Sequence, residues 1–181
     1  MRWYEVPRPK PIRLLLIAEA PPAKGENYFY AVSYNDNKHG ASRNFFRSIM
    51  QGIGLLGKGV KVYSEKLLLD KFLENGYFLI DSCPVPLGNI SSPKKISIMS
   101  RYTNELLTNI RELKPEKILF VCQTNEVVLN IVGFNPIVKD RLLLEKPLPY
   151  PGNGWLFPRK DGQPSFIELF PEEYRLEPIY K

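Results

Sequence analysis

The 181-residue chain is poor in the residues that build metal centres: it has two cysteines and one histidine. That nearly rules out a zinc site or a four-cysteine iron–sulfur cluster held within one chain. No apolar run reaches the roughly 18 residues that a membrane span needs. The segment Met1-Arg2-Trp3-Tyr4-Glu5-Val6-Pro7 has no signal-peptide apolar stretch. There are no internal repeats and no low-complexity segment. These absences lead us to expect a cytoplasmic, single-domain protein over 1–181. No cofactor, metal, iron–sulfur cluster or membrane contact is expected, and the chain is expected to be a monomer.

What is present fits a mixed α/β domain. Hydrophobic residues make up 44% of the chain and aromatic residues 12%, ample material for one core. Proline is 17 of 181, or about 9%, against a usual share of about 5%, which implies stiff, shaped loops. The net charge is +6 and the pI about 9.2. Such a balance makes a polyanion a plausible partner. It also fits an ordinary small basic protein.

Residues 1–11 read as an extended, proline-spaced arm with Pro7, Pro9 and Pro11. The apolar run 12–18 then predicts a strand buried on both faces. A helix is predicted from Ser42 to about Gly52, with Phe45, Phe46, Ile49, Met50 and Ile53 at helical spacing. A second helix, 65–75, stops at Asn75-Gly76. A buried strand follows over 77–81. The clearest helix starts at Ser92-Pro93, with Ser92 as cap, and runs to Lys114-Pro115. Residues 117–122 predict a third strand, Thr124 the cap of a short helix, and 137–139 a fourth strand. A hairpin around Asp161-Gly162 and a short helix from Pro171 are predicted in the tail.

Buried strands alternating with helices predict a three-layer α/β/α fold around a central, mostly parallel four-stranded sheet. Ligands gather at the carboxyl ends of such strands. The breaks after strands one, two and four therefore point to one cleft, supplied with Glu19, Asp81 and the 149–154 loop. Gly52-Ile53-Gly54-Leu55-Leu56-Gly57 matches a dinucleotide-binding pattern but follows a helix, whereas that fingerprint must follow a strand. We discount it.

Glu19 lies between the first strand and a Pro-Pro corner that fixes the backbone. It reads as a general base or electrostatic stabiliser. It equally reads as an exposed strand-end Glu or one paired with an Arg. Asp81 ends the second strand after three apolar residues, where burial is costly without partners. It either accepts backbone N–H bonds or faces a ligand. Cys83 and Cys122 read as buried strand residues.

The ordered set of motifs resembles the uracil-DNA glycosylase superfamily. Ala18-Glu19-Ala20-Pro21-Pro22 resembles its first motif, G-E-A-P-G. Tyr28-Phe29-Tyr30 lies where that superfamily places a ring against the flipped base. Asp81-Ser82-Cys83-Pro84 looks like the N-H-C-P element of the single-strand-selective monofunctional branch. Tyr150-Pro151-Gly152 stands where the superfamily has H-P-S, followed by a DNA-intercalating loop. Together the elements span 12–157.

The resemblance implies a divergent DNA glycosylase that hydrolyses the N-glycosidic bond of a flipped, damaged or deaminated base. Glu19 would position water and stabilise the cationic sugar, and Tyr150 would serve the departing base. Tyr28 or Phe29 would stack on the base, and Asp81 would read its edge. Ser91, Ser92, Lys94 and Asn153 would meet DNA, with Lys95 and Arg101 adding charge. Trp155 or Leu156 would wedge into the duplex, although each also reads as a core residue. The basic positions equally suit an ordinary solvated helix face.

Two positions depart from the family pattern. An Asn amide can serve both N3–H and O4 of uracil, whereas an ionised Asp81 only accepts. A carboxylate suits an exocyclic amino group better, so the base need not be uracil. Tyr150 replaces a His and carries no charge at neutral pH. The one histidine, His39, lies in the loop after the first motif. Two alternatives follow: a non-catalytic nucleic-acid-binding module of the same fold, or an enzyme acting on a free nucleotide.

Overall fold

The computed structural model describes residues 3–24, 28–31, 44–151 and 162–181. Ser42, His39, Gly152, Asn153, Trp155, Leu156 and Asp161, which carry several of the expectations above, lie outside them.

Three parallel strands form the sheet, in the order β2-β1-β3. They are β1 (Leu14–Ala18), β2 (Tyr77–Asp81) and β3 (Lys117–Phe120). Every residue of β1 and β2 is buried. Successive side chains point to opposite faces, so both faces of these strands are covered. In register, Leu14 meets Tyr77 and Lys117, and Ala18 meets Asp81. The strands therefore start level, and β3 ends one residue short of the other two, with Phe120 opposite Ile17.

The helices are α1 (Asn44–Gly52), α2 (Glu65–Glu74), α3 (Ser92–Ser100), α4 (Thr103–Leu113), α5 (Glu126–Val132), α6 (Pro136–Lys139) and α7 (Phe166–Leu169). Phe46, Ile49, Met50 and Ile53 along and just past α1 are buried, as their spacing requires. Ser64 caps α2 by accepting from Leu67 N–H. Gly76 closes the same helix at φ 78°, a left-handed conformation that favours glycine. The strand β2 follows at once.

Four expectations need correction. The fourth strand is absent among the described residues: 137–139 belongs to α6, where Asn135 accepts from Ile137 N–H and Pro136 occupies the first turn. The edge of β3 is instead flanked by the segment 141–148, through isolated bridges at Leu142 and Leu148. The long helix over 92–113 is two helices, separated at Arg101 and Tyr102, and Ser91 rather than Ser92 is the first cap. The N-terminal arm holds a 3₁₀ turn at Trp3–Glu5 and buries Val6.

The glycines of 52–57 serve packing. A Cβ on Gly52 would sit 2.1 Å from the Phe166 ring, and Gly57 N–H donates to Tyr180 O at 2.7 Å. They dock the C-terminal segment against α1. Among the described residues, no helix is long and apolar enough to cross a membrane.

Candidate functional site

The carboxyl ends of the strands open into a cleft of about 400 Å³. A cavity of that size falls in the range of small-molecule sites. Glu19, one residue past β1, lines it beside Asp81, the last residue of β2. The register that pairs Ala18 with Asp81 makes them neighbours. Tyr28, Phe29, Phe45, Leu87, Lys95, Cys122 and Tyr150 complete much of the wall.

A buried polar frame underlies the carboxylates. Ser82 N–H donates to Ala18 O at 2.8 Å, and Cys83 N–H to Glu19 O at 3.1 Å, so the chain past β2 stays bonded to the chain past β1. Asn125 is fully buried. Its amide donates to Ile17 O at 3.1 Å and to Val121 O at 2.6 Å, and its carbonyl accepts from Ser82 Oγ at 2.7 Å. One side chain thus joins the tips of all three strands. A buried amide leaves no polar atom unpaired here, as burial demands.

Glu19 is held at both oxygens. Lys95 Nζ donates to Oε1 at 2.9 Å, and the Thr124 hydroxyl donates to Oε2. Both partners of the ion pair keep about a fifth of their side chains exposed. The carboxylate is therefore aimed by groups from two other parts of the chain and still reaches water. Thr124 does not cap the following helix, as its sequence position suggested. Its hydroxyl serves Glu19.

Asp81 is buried at 9% exposure. Cys122 lies between β3 and the 3₁₀ turn Gln123–Asn125 at φ 77°, a strained conformation for a residue with a side chain. Burial pushes its thiol well up, and the Glu19 charge adds to this. It stays a protonated thiol at neutral pH and is no thiolate nucleophile. Cys83 is also buried and free.

The aromatic residues divide into two groups. Tyr28 and Phe29 touch the cleft but are 4% and 3% exposed. The Tyr28 hydroxyl accepts from Trp3 N–H. Phe29 packs edge-on to Phe45, with centroids 6.3 Å apart. Phe45 and Tyr150 form the more open pair, stacked at 5.5 Å with planes 11° apart. Burial pushes the Tyr150 phenol above its usual range, with Cys122 and Glu19 adding to the effect. Its O–H remains a neutral donor throughout the physiological range.

The cleft thus gathers Glu19, Asp81, Tyr28, Phe29 and Tyr150. Ser91, Ser92 and Lys94 lie outside it, exposed at the start of α3, and Arg101 is exposed at its end. Lys95, expected to add charge toward DNA, turns into the cleft and meets Glu19. Sequence reasoning missed Phe45 and Thr124 as site residues. A signal for Thr124 was present: it follows the carboxyl end of β3, where ligand sites collect. Phe45 carried none, because its spacing also marks an ordinary core face.

Among the described residues, no group of three or more His, Cys, Asp or Glu side chains is placed to hold a metal ion. In comparisons with known proteins, no family model matches the chain, and no curated protein matches it significantly.

Proposed function

We propose that the cleft receives a nucleobase and that the chain hydrolyses its N-glycosidic bond, as a divergent relative of the uracil-DNA glycosylase superfamily acting on DNA. The supporting observation is that Glu19, Asp81, Phe29 and Tyr150 line one base-sized hollow at the carboxyl ends of parallel strands.

The chemistry follows from charge. Breaking the bond between C1′ and the base nitrogen leaves a cationic sugar and an electron-rich base. The Glu19 carboxylate stabilises the cation and orients water, whose oxygen bonds to C1′. One water proton goes to solvent by way of Glu19, and the departing base takes up a proton from solvent, so that water is added across the broken bond. Tyr150 O–H donates to the base as negative charge builds there. Phe45 and Tyr150 offer the exposed ring surface beside which a flat base can pack. Asp81 accepts from the base edge and so favours an exocyclic amino group over the O4 of uracil.

One observation favours a second reading, a binding module without turnover: both Glu19 oxygens already have donors. A lesion panel separates the two. Oligonucleotides bearing uracil, hypoxanthine, xanthine or alkylated bases are incubated with the protein, and abasic sites are counted. Hydrolysis predicts abasic sites at one or more lesions, lost in Glu19→Gln. Binding that weakens steeply with salt, without abasic sites in single or double strands, selects the second reading.

A further inference from the structure

Lys95 is the one cation among the described residues lining the cleft, and it shares the lining with two carboxylates, Glu19 and Asp81. Its ammonium is committed to Glu19 Oε1 at 2.9 Å. The pair is not sealed: each side chain keeps about a fifth of its surface exposed. An ion pair open to water is weak enough to exchange for a better partner. Glu19 is also held independently, because Thr124 donates to the other oxygen. The carboxylate therefore stays aimed when Lys95 leaves. Lys94, one residue before Lys95 on α3, is exposed and adds positive charge at the same end.

We propose that Lys95 is an anion-operated latch: a phosphate arriving with the substrate takes the ammonium from Glu19 and leaves the carboxylate facing the reacting sugar. The ligand is thus phosphate-bearing, not a bare nucleoside. The proposal deepens the reading above and rests on it for the base in the cleft. A phosphate gives the ammonium an oxygen acceptor of at least equal charge, so the exchange loses no ionic bond. It links binding to activation, because the carboxylate is uncovered only when the strand or nucleotide is in place. The linkage runs both ways: whatever weakens the grip of Glu19 on Lys95 must strengthen anion binding.

The test is a double-mutant cycle on binding, which needs no turnover. A fluorescein-labelled single-stranded oligonucleotide is titrated by anisotropy against wild type, Lys95→Met, Glu19→Gln and the double variant. Lys95→Arg and Glu126→Gln, the latter an exposed carboxylate at the start of α5 outside the cleft lining, serve as controls, and melting curves confirm folding. The latch predicts that Lys95→Met weakens binding about tenfold, the loss of one charge-assisted contact, while Lys95→Arg keeps most of it. Glu19→Gln tightens binding severalfold, and that gain shrinks in the K95M background to the size of the Glu126→Gln gain. Competition by a nucleoside monophosphate assigns the contact to a free nucleotide; competition only by oligonucleotide assigns it to a phosphodiester. Either source keeps the latch. Binding by Lys95→Met as tight as wild type overturns it, and so does an equal Glu19→Gln gain in both backgrounds. If neither probe binds wild type, the latch is also overturned. Abasic sites are counted in parallel. Lys95-dependent binding without base release keeps the latch and removes the hydrolytic reading; base release with Lys95-independent binding does the reverse.

Discussion

The two ends of the sheet are built from the same three strands and differ in almost everything else. At the amino end, a hollow is lined by Pro9, Lys10, Pro11, Arg13, Glu74, Asn75 and Gly76 among others. The backbone there is paired directly: Arg13 and Leu14 N–H both donate to Gly76 O, and Glu116 N–H donates to Ile12 O. At the carboxyl end, main-chain bonds also run on past the strands, from Ser82 N–H to Ala18 O, Cys83 N–H to Glu19 O and Val121 N–H to Ile17 O. Here, however, a buried side chain, Asn125, adds bonds to all three tips. Carboxylates, a strained cysteine and a stacked ring pair sit above that frame. At the amino end, main-chain bonds and prolines frame the hollow. At the carboxyl end, polar and ionisable side chains are added to the backbone frame.

The contrast can be broken at its strongest point. Asn125→Ala removes the donors to Ile17 O and Val121 O and the acceptor for Ser82. Leaving buried polar groups unpaired costs about 1–3 kcal/mol each, so a loss of about 3 kcal/mol is expected from urea unfolding. The cleft should loosen with it, read as weaker oligonucleotide binding.

Gly76→Ala tests the other end. The position has φ 78°, and a Cβ would lie 2.9 Å from Arg13 Cγ and 3.0 Å from Pro11 O. A loss of about 1–2 kcal/mol is expected, with oligonucleotide binding unchanged. If binding falls as it does for Asn125→Ala, the two ends are not independent.

Tyr77 sharpens the comparison through pH. Its hydroxyl donates to Tyr174 O, and burial pushes the phenol up to about 12. The unfolded phenol ionises near 10. The folded chain therefore holds a proton that the unfolded chain loses. Stability is complete below about pH 10 and declines as pH rises through 12. Tyr77→Phe should cost about 1 kcal/mol at pH 7, one hydrogen bond, and flatten part of the alkaline decline measured by thermal melting.

The smallest change in stability is expected for Tyr150→Phe, within about 0.5 kcal/mol, because the ring still stacks on Phe45. Base release should nevertheless slow roughly tenfold or more, since the donor to the leaving base is gone. A rate equal to wild type would remove Tyr150 from the chemistry.

Local signals were readable in the chain and distant pairings were not. The strand 77–81 follows from five residues and a preceding Asn-Gly stop, all adjacent in sequence. The false strand at 137–139 arose from a short apolar run whose capping pair, Asn135-Pro136, signals a helix. The break at Arg101 and Tyr102 has neither Gly nor Pro. It shows in side-chain bonds instead: Ser100 Oγ donates to Ile96 O and Thr103 Oγ1 to Ser100 O. For the site, the strand-end positions of Glu19 and Asp81 were legible because a buried strand ending in a carboxylate is unusual. Lys95 and Thr124, 76 and 105 residues from Glu19, were visible as residues but not as its partners. No local pattern encodes a contact that the fold alone creates.

The central claim is that catalysis lives at the carboxyl end and depends on Glu19. Single-turnover base release from a lesion-bearing oligonucleotide, comparing Glu19→Gln with Gly76→Ala, tests it most directly. A loss of about a hundredfold is expected for Glu19→Gln, the scale of a missing transition-state contact, with Gly76→Ala matching wild type below its melting range. Equal rates for Glu19→Gln and wild type would contradict the account.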